Sequence, residues 1–202
     1  MNQDRARIWI FGWALAICAG AVAWFGLGMS TPVSGTQSPA VLGQAGDFTL
    51  TGHDGRPFGS KDLQGHVWVA DFIFSRCTGP CPMLTERMKT LTKTMADPET
   101  RFVTFTVDPN HDTPAVLRRY AKSHGAGLDR WTFVTGSLPA LKALLRNRLM
   151  LPLGPAGWNG DDYVIPHTEK FVLVDRMGAL RGYYETADPS ELDRLARDLK
   201  RL

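Results

Sequence analysis

The sequence predicts an α/β sandwich, in which a central mixed sheet is flanked by helices. Short apolar runs rich in branched and aromatic residues alternate with stretches whose apolar residues recur at steps of three and four, as in strands that alternate with helices. The chain of 202 residues, 44% of them hydrophobic, suffices for one good-sized domain and an appendage. A net charge of +3 without a run of Lys or Arg gives no reason to expect a nucleic-acid partner.

The first core strand is predicted over residues 67–74. These residues are mostly branched or aromatic, which indicates a strand buried on both faces. Gly79, Pro80 and Pro82 then stop the strand and turn the chain. A helix follows, whose predicted inward face consists of Leu84, Met88, Leu91 and Met95.

The other elements are predicted from periodicity and from turn and capping residues. In chain order they are a hairpin over residues 48–50 and 56–58, a strand over 101–107, a helix from Thr113 to about Ser123, a strand over 131–135, a helix over 138–149, strands over 170–174 and 179–184, and a helix that begins at Asp188 and faces the sheet through Leu192, Leu195, Leu199 and Leu202. This order predicts a thioredoxin-like sandwich. Residues 150–166 are rich in proline and glycine and have no regular period, and a loop that long is usually functional or mobile.

The amino-terminal segment predicts a membrane anchor. Residues 8–28 carry no charge, and as a helix these 21 positions would reach about 32 Å, enough for a bilayer core. Arg5 and Arg7 precede the segment and no positive cluster follows closely, which predicts a cytoplasmic amino terminus. The predicted organisation is a cytoplasmic tip at 1–7, a transmembrane anchor at 8–29, a flexible linker at 30–46 and a folded domain at 47–202.

This organisation predicts a single-pass protein of the bacterial inner membrane whose domain lies in the periplasm. A cleaved signal peptide is the alternative, since residues 19–21 are small, although the hydrophobic part of a signal peptide usually spans only about 7–15 residues. Cys18 lies within the anchor and is interpreted as a buried apolar thiol.

Two further cysteines, Cys77 and Cys81, are predicted on the loop between the first core strand and its helix. The amides and the positive dipole end of a helix favour a thiolate, which suits both redox chemistry and soft-metal binding. In a helical loop the two Cβ atoms would lie about 5–6 Å apart, whereas a disulfide needs about 3.8 Å. A metal ion spans the wider gap, so both states are reachable and the metal-bound state is less strained.

Three alternatives remain for this pair. A structural disulfide would close only a very small loop, so it would stabilise the chain little. Ordinary buried thiols are the second alternative. A tetrahedral zinc site would need two more ligands at finger-like spacing, and the sequence has no second cysteine pair.

Three segments in this order resemble the Sco/SenC family of copper-binding, thioredoxin-like proteins. DFIFSRCTGPCP at 71–82 resembles the CxxxCP signature of the family, and VDPNHDTP at 107–114 resembles its DPxxDTP segment. HTEKFVLVD at 167–175 resembles its histidine followed by an apolar strand. The three segments span most of residues 42–184, so the resemblance is much more specific than a lone cysteine pair.

The resemblance implies one copper site made by Cys77, Cys81 and His167. Thiolates favour Cu(I), and an imidazole nitrogen helps to retain Cu(II). It also implies a membrane-tethered metallochaperone that serves the copper-containing subunit of cytochrome c oxidase or another periplasmic copper protein, with a thiol reductant as a further partner. Met83 and Met88 carry thioether sulfur, but their positions on a helix favour core packing.

Three acids near these segments are candidates for auxiliary roles. Asp71 stands six residues before Cys77, as the buried aspartate of thioredoxin stands before its first cysteine, so by resemblance it relays protons to the thiols. The alternative is a strand-edge acid capped by backbone amides. Asp108, at the end of the second strand, is predicted to orient the metal site or a partner. Thr113 and Pro114 are predicted as the N-cap and first-turn proline of the following helix, and a capping role is the simpler interpretation of Asp112.

A second function remains open from sequence, a thiol–disulfide oxidoreductase that reduces the copper-ligating cysteines of a partner. Cys77 and Cys81 would supply the attacking and resolving thiols. The three intervening residues count against general reductase activity, because thioredoxin-type enzymes have two. A thiol peroxidase is a weaker alternative, since Cys81 followed by Pro82 indicates no peroxide pocket.

Overall fold

The domain is built around one mixed sheet of eight strands. The structure is a computed structural model and describes residues 38–159 and 162–202. The strands are β1 Gly43–Gln44, β2 Thr49–Gly52, β3 Pro57–Gly59, β4 Trp68–Ile73, β5 Arg101–Thr106, β6 Trp131–Thr135, β7 Gly157–Asn159, β8 Asp162–Val164, β9 Lys170–Val174 and β10 Ala179–Glu185. The sheet has the order β1-β10-β9-β4-β5-β6-β2-β3, while β7 and β8 form a separate two-stranded hairpin.

Strand β4 lies inside the sheet, and each of its six residues is buried. It runs parallel to β5 on one side and antiparallel to β9 on the other. A strand with a neighbour on each side and a layer on each face has no solvated edge or face, which accounts for its nearly continuous apolar sequence. The predicted mixed sheet and its doubly buried first core strand are confirmed.

Helices cover the sheet, and two of them begin at the capping residues predicted for them, whereas the short first helix was not predicted. They are α1 Ser60–Leu63, α2 Cys81–Thr94, α3 Pro114–Ser123, α4 Leu138–Ala143 with a π-helical continuation over Leu144–Arg148, and α5 Pro189–Leu199. Thr113 caps α3 by accepting a hydrogen bond from the Val116 amide, and Asp188 caps α5 by accepting one from the Ser190 amide. The inward face predicted for α2 is buried, as are Leu195 and Leu199 of α5, whereas Leu192 and Leu202 are partly exposed.

The chain enters the domain earlier than the predicted boundary at residue 47. Residues 38–46, predicted as the end of the linker, contribute β1, which is hydrogen-bonded to β10 as the edge strand of the sheet. The Arg181 guanidinium donates to the carbonyl of Pro39 at 2.7 Å, and the Leu42 amide donates to the carbonyl of Leu180 at 2.8 Å. Strand pairing with β10 therefore includes this stretch in the domain despite its loop-like composition.

The predicted tip, anchor and first part of the linker, residues 1–37, lie outside the described residues, and so does Cys18. Within residues 38–159 and 162–202, no helix combines the length and the apolar character that a membrane crossing requires.

The segment predicted as an irregular loop at 150–166 contains structure of its own. Strands β7 and β8 pair antiparallel, with Gly157 opposite Val164. An isolated bridge between Leu153 and His167 then fixes the base of the segment. Each of the two strands has only three residues, so their pairing leaves no periodic signal long enough to recognise in the sequence.

The direction of the strands places the ends of three segments together. Because β4 and β5 are parallel, their carboxyl ends lie at the same edge of the sheet. Because β9 is antiparallel to β4, with Ala70 opposite Val172, the residues that precede β9 arrive at that same edge. The cysteine loop after β4, the acidic loop after β5 and His167 before β9 therefore meet at one end of the domain.

Candidate metal centre

Cys77 lies in the turn after β4, and Cys81 is the first residue of α2. The Cys77 amide donates to the carbonyl of Phe74 at 3.1 Å, which closes the turn. Both cysteines are free thiols, Cys77 partly exposed and Cys81 fully buried. The Cys77 side chain is hydrogen-bonded to the Cys81 sulfur, so the two thiols that sequence analysis paired are adjacent in space.

His167, which precedes β9, lies next to this pair of cysteines. Its Nδ1 lies 2.8 Å from the carbonyl oxygen of Thr168, and its Nε2 lies 3.7 Å from the sulfur of Cys81. A carbonyl accepts only, so the neutral imidazole carries its proton on Nδ1 and directs the Nε2 lone pair towards Cys81. This is the tautomer in which Nε2 is free to ligate a metal ion or accept the thiol proton.

A cleft of about 300 Å³ opens at this point. Cys77 and His167 both line it, together with Phe74, Pro80, Tyr163 and Val164. The Phe74 ring packs edge-on against the His167 imidazole, with their centres 5.9 Å apart. In the part of the chain that the structure describes, no three His, Cys, Asp or Glu side chains already surround a common metal position.

Burial sets the protonation of Cys81 and His167. It raises the pKa of the Cys81 thiol well above the usual range, and the hydrogen bond that the protonated Cys81 thiol shares with Cys77 adds to this effect. The expectation that the helix N-terminus favours a thiolate is therefore wrong for Cys81, because desolvation of the charged form outweighs the dipole. Burial also lowers the pKa of His167, so its imidazole is neutral at pH 7.

Asp71 lies in the interior of β4 and is fully buried. Its Oδ1 accepts a hydrogen bond of 2.5 Å from the Thr104 hydroxyl on β5, whereas Oδ2 meets no donor among the described residues. Burial raises the pKa of this carboxyl from 3.8 to about 7. The alternative of a strand-edge acid capped by amides is wrong, because β4 has a neighbour on each side and one oxygen is orphaned.

Asp108 and Asp112 both hold the segment that precedes Cys77. Asp108 accepts hydrogen bonds from the Arg76 guanidinium, at 2.6 Å from Nη2 and 3.2 Å from Nε. Asp112 is fully buried and accepts from the amide and the hydroxyl of Ser75, and from the Thr106 hydroxyl at 2.6 Å. The prediction that Asp112 caps α3 is wrong, since Thr113 is the cap and Asp112 turns back to Ser75.

Ser75, Arg76 and Tyr163 were not singled out from the sequence. Arg76 directly precedes Cys77, and this position beside the predicted thiols is the feature of the sequence that could have identified it as a site residue. The roles of Ser75 and Tyr163 depend on partners 37 and 87 residues away, which local patterns do not reveal. Of the two methionines, Met88 is buried in the core as predicted, whereas Met83 is 52% exposed because it faces away from the sheet.

Comparison with known proteins relates this geometry to one family. Residues 36–202 match the SCO1/SenC family. The SCO1 protein homolog of Bacillus subtilis (strain 168) is 30% identical over 164 residues, which cover 76% of this chain and 79% of that protein.

Solved structures agree with this match. BsSco, a member of the Sco family of cytochrome c oxidase assembly proteins in which a disulfide switch was identified, is 28% identical with a TM-score of 0.68 over 82% of this chain and 96% of that chain. ScoI of Bradyrhizobium japonicum, solved with copper bound, has the same fold with a TM-score of 0.65 at 24% identity, over 80% of this chain and 99% of that chain. The predicted resemblance is thereby confirmed, and the chain belongs to the SCO1/SenC family.

Proposed function

We propose that this chain is a membrane-anchored copper metallochaperone. It carries one copper ion on Cys77, Cys81 and His167 and delivers it to the copper-containing subunit of cytochrome c oxidase or to another periplasmic copper protein. Residues 8–29 anchor it in the inner membrane, and the domain works in the periplasm. The copper bound by ScoI of Bradyrhizobium japonicum and the assembly role of the family that includes BsSco support this proposal.

One observation carries the proposal, the distance of 3.7 Å between His167 Nε2 and the Cys81 sulfur. The two residues are 86 positions apart, and the Nδ1 contact with the Thr168 carbonyl already turns the second nitrogen to the thiol. Cys77 completes a set of two sulfurs and one nitrogen, which suits copper in either of its common oxidation states. The apolar wall of the cleft, with Phe74 and Val164, limits solvent access and so favours the soft, weakly hydrated Cu(I) ion.

Titration of the reduced full-length chain with Cu(I), in competition with a chromophoric chelator, tests the proposal. The chain has three cysteines, so a Cys18→Ser background leaves only the two thiols of the site. We expect one tightly bound copper per chain, and its loss in Cys77→Ser and Cys81→Ser. Each serine removes a soft ligand but preserves the size of the side chain. Unchanged affinity when both cysteines are replaced would refute the site.

Thiol–disulfide exchange is a second candidate, favoured by the adjacency of the two reduced thiols. The partly exposed Cys77 would attack a disulfide of the partner and form a mixed disulfide. The buried Cys81 would then displace the reduced partner, which leaves a Cys77–Cys81 disulfide and two partner thiols. An external thiol reductant would regenerate the dithiol.

Reduction of a disulfide-containing peptide by the metal-free protein tests this second candidate. We expect the reaction to be lost in Cys77→Ser and to survive in His167→Ala, because both reacting sulfurs remain in the second variant although a copper ligand is lost. A wild-type rate no higher than that of Cys77→Ser would exclude the exchange function and leave copper carriage untouched.

A further inference from the structure

The Arg76 guanidinium lies between the acidic loop after β5 and the hairpin that precedes His167. On one side it binds Asp108 through two nitrogens, and Asp108 is 4% exposed. On the other side its Cζ atom lies 4.0 Å from the centre of the Tyr163 ring. A guanidinium held by two bonds to a buried carboxylate has little freedom to rotate, so its flat face is a fixed platform for an aromatic ring.

Tyr163 belongs to β8 and stands four residues before His167. Its ring packs edge-on against Phe74, with the centres 6.2 Å apart, and the same Phe74 contacts His167 at 5.9 Å. The tyrosine and the histidine therefore rest on one aromatic side chain of the cysteine loop. Tyr163 also contacts the Arg76 guanidinium, which is paired with Asp108 at the end of β5.

We propose that Arg76 is a positioning residue that holds the β8–His167 segment against the cysteine loop. Through Asp108 it is fixed to the end of β5, and through Tyr163 it keeps His167 Nε2 beside Cys81. This inference rests on the proposed function in taking copper as the cargo. It also gives Asp108 its role, since Asp108 orients the site through Arg76 and not by contact with the metal.

The contact acts by keeping the third ligand in place before copper arrives. If the Arg76–Tyr163 contact is lost, the segment that carries His167 can move away from the cysteines, so copper leaves faster and solvent reaches Cys81. A partly buried cation–π contact corresponds to a change of roughly tenfold in such an opening equilibrium.

The experiment compares Arg76→Met and Tyr163→Leu in the full-length Cys18→Ser chain. Tyr163→Leu breaks the contact without leaving Asp108 unpaired, which keeps the test valid if Arg76→Met folds poorly. We measure the rate at which Cu(I) passes to excess chelator and, in the metal-free protein, the rate at which iodoacetamide modifies Cys81. Both rates should rise roughly tenfold in each variant and no further in the double variant, because each change removes the same contact between Arg76 and Tyr163.

Arg56→Met is the matched control, since it removes the same charge from an exposed arginine in the β2–β3 turn. It should keep wild-type rates. Wild-type rates in Tyr163→Leu, or additive effects in the double variant, would overturn the positioning role. If the wild-type chain binds no copper, the proposed function fails, while the alkylation of Cys81 still decides whether Arg76 holds the segment.

Discussion

Replacing His167 with alanine is expected to weaken Cu(I) binding by more than about a hundredfold. Loss of an outer partner of a metal ligand already costs about 10- to 100-fold, so loss of a ligand itself should cost more. The Nε2 atom is positioned towards Cys81 by the Thr168 carbonyl, and alanine leaves only the two thiols. Chelator competition with the reduced protein measures the affinity.

His66→Ala provides the control for this change. His66 precedes β4 at the opposite end of that strand from Cys77, where its Nδ1 lies 2.9 Å from the carbonyl of Glu99. Copper affinity should remain at the wild-type value in this variant. If His167→Ala and His66→Ala bind copper equally well, a site of two sulfurs without the imidazole replaces the proposed three-ligand site.

Replacing Asp71 with asparagine is expected to raise the free energy of unfolding by as much as about 4 kcal/mol at pH 8. Burial raises the pKa of Asp71 from 3.8 to about 7, and a tenfold change in an acid dissociation constant corresponds to about 1.4 kcal/mol. Above pH 7 the folded protein must hold an ionised carboxylate with an orphaned Oδ2. Asparagine has nearly the same shape and carries no charge, so it removes this cost.

The pH dependence gives the sign of the Asp71 effect. Below pH 3.8 the carboxyl is protonated in both the folded and the unfolded state and imposes no penalty. Between 3.8 and about 7 the folded state keeps a proton that the unfolded state has lost, so the contribution of Asp71 to stability falls as the pH rises. Above about 7 the penalty is complete and constant.

Chemical denaturation of the wild type and Asp71→Asn between pH 4 and pH 8 measures this difference. The two curves should converge at pH 4 and separate as the pH rises. Asp54→Asn, at an exposed acid in the β2–β3 turn, should follow the wild type throughout. A constant difference between the wild type and Asp71→Asn would contradict ionisation as its cause.

Much of the fold was predictable because its signals are short-ranged. The apolar run of β4, the face of α2 that contains Leu84 and Met88, and the Thr113 cap of α3 each depend on residues within one element. One element that depends on a pairing partner far away in the sequence was not predicted. Strand β1 owes its place in the domain to β10, more than 130 residues later, and its own composition indicates a spacer.

The candidate ligands Cys77, Cys81 and His167 were predicted from the resemblance of three ordered segments to one family, and the strand directions bring them to one end of the sheet. The hydrogen-bond partners of the nearby acids and the protonation state of Cys81 could not be predicted. Asp112 appeared to be a helix cap because it directly precedes Thr113, whereas its carboxylate turns back to Ser75. The helix dipole likewise predicted a lowered pKa and a thiolate at Cys81, but burial raises the pKa of this thiol.

The amino-acid sequence specifies the main core strands and helices and places two thiols near a helix start, because chain-local periodicity and turn chemistry determine these features. The family resemblance adds His167 before β9. Contacts between distant segments bury Asp71 with one orphaned oxygen, pair Asp108 with Arg76 and place Tyr163 against the Arg76 guanidinium. These contacts join segments up to 87 residues apart, and strand register and burial, which no local pattern contains, bring them together.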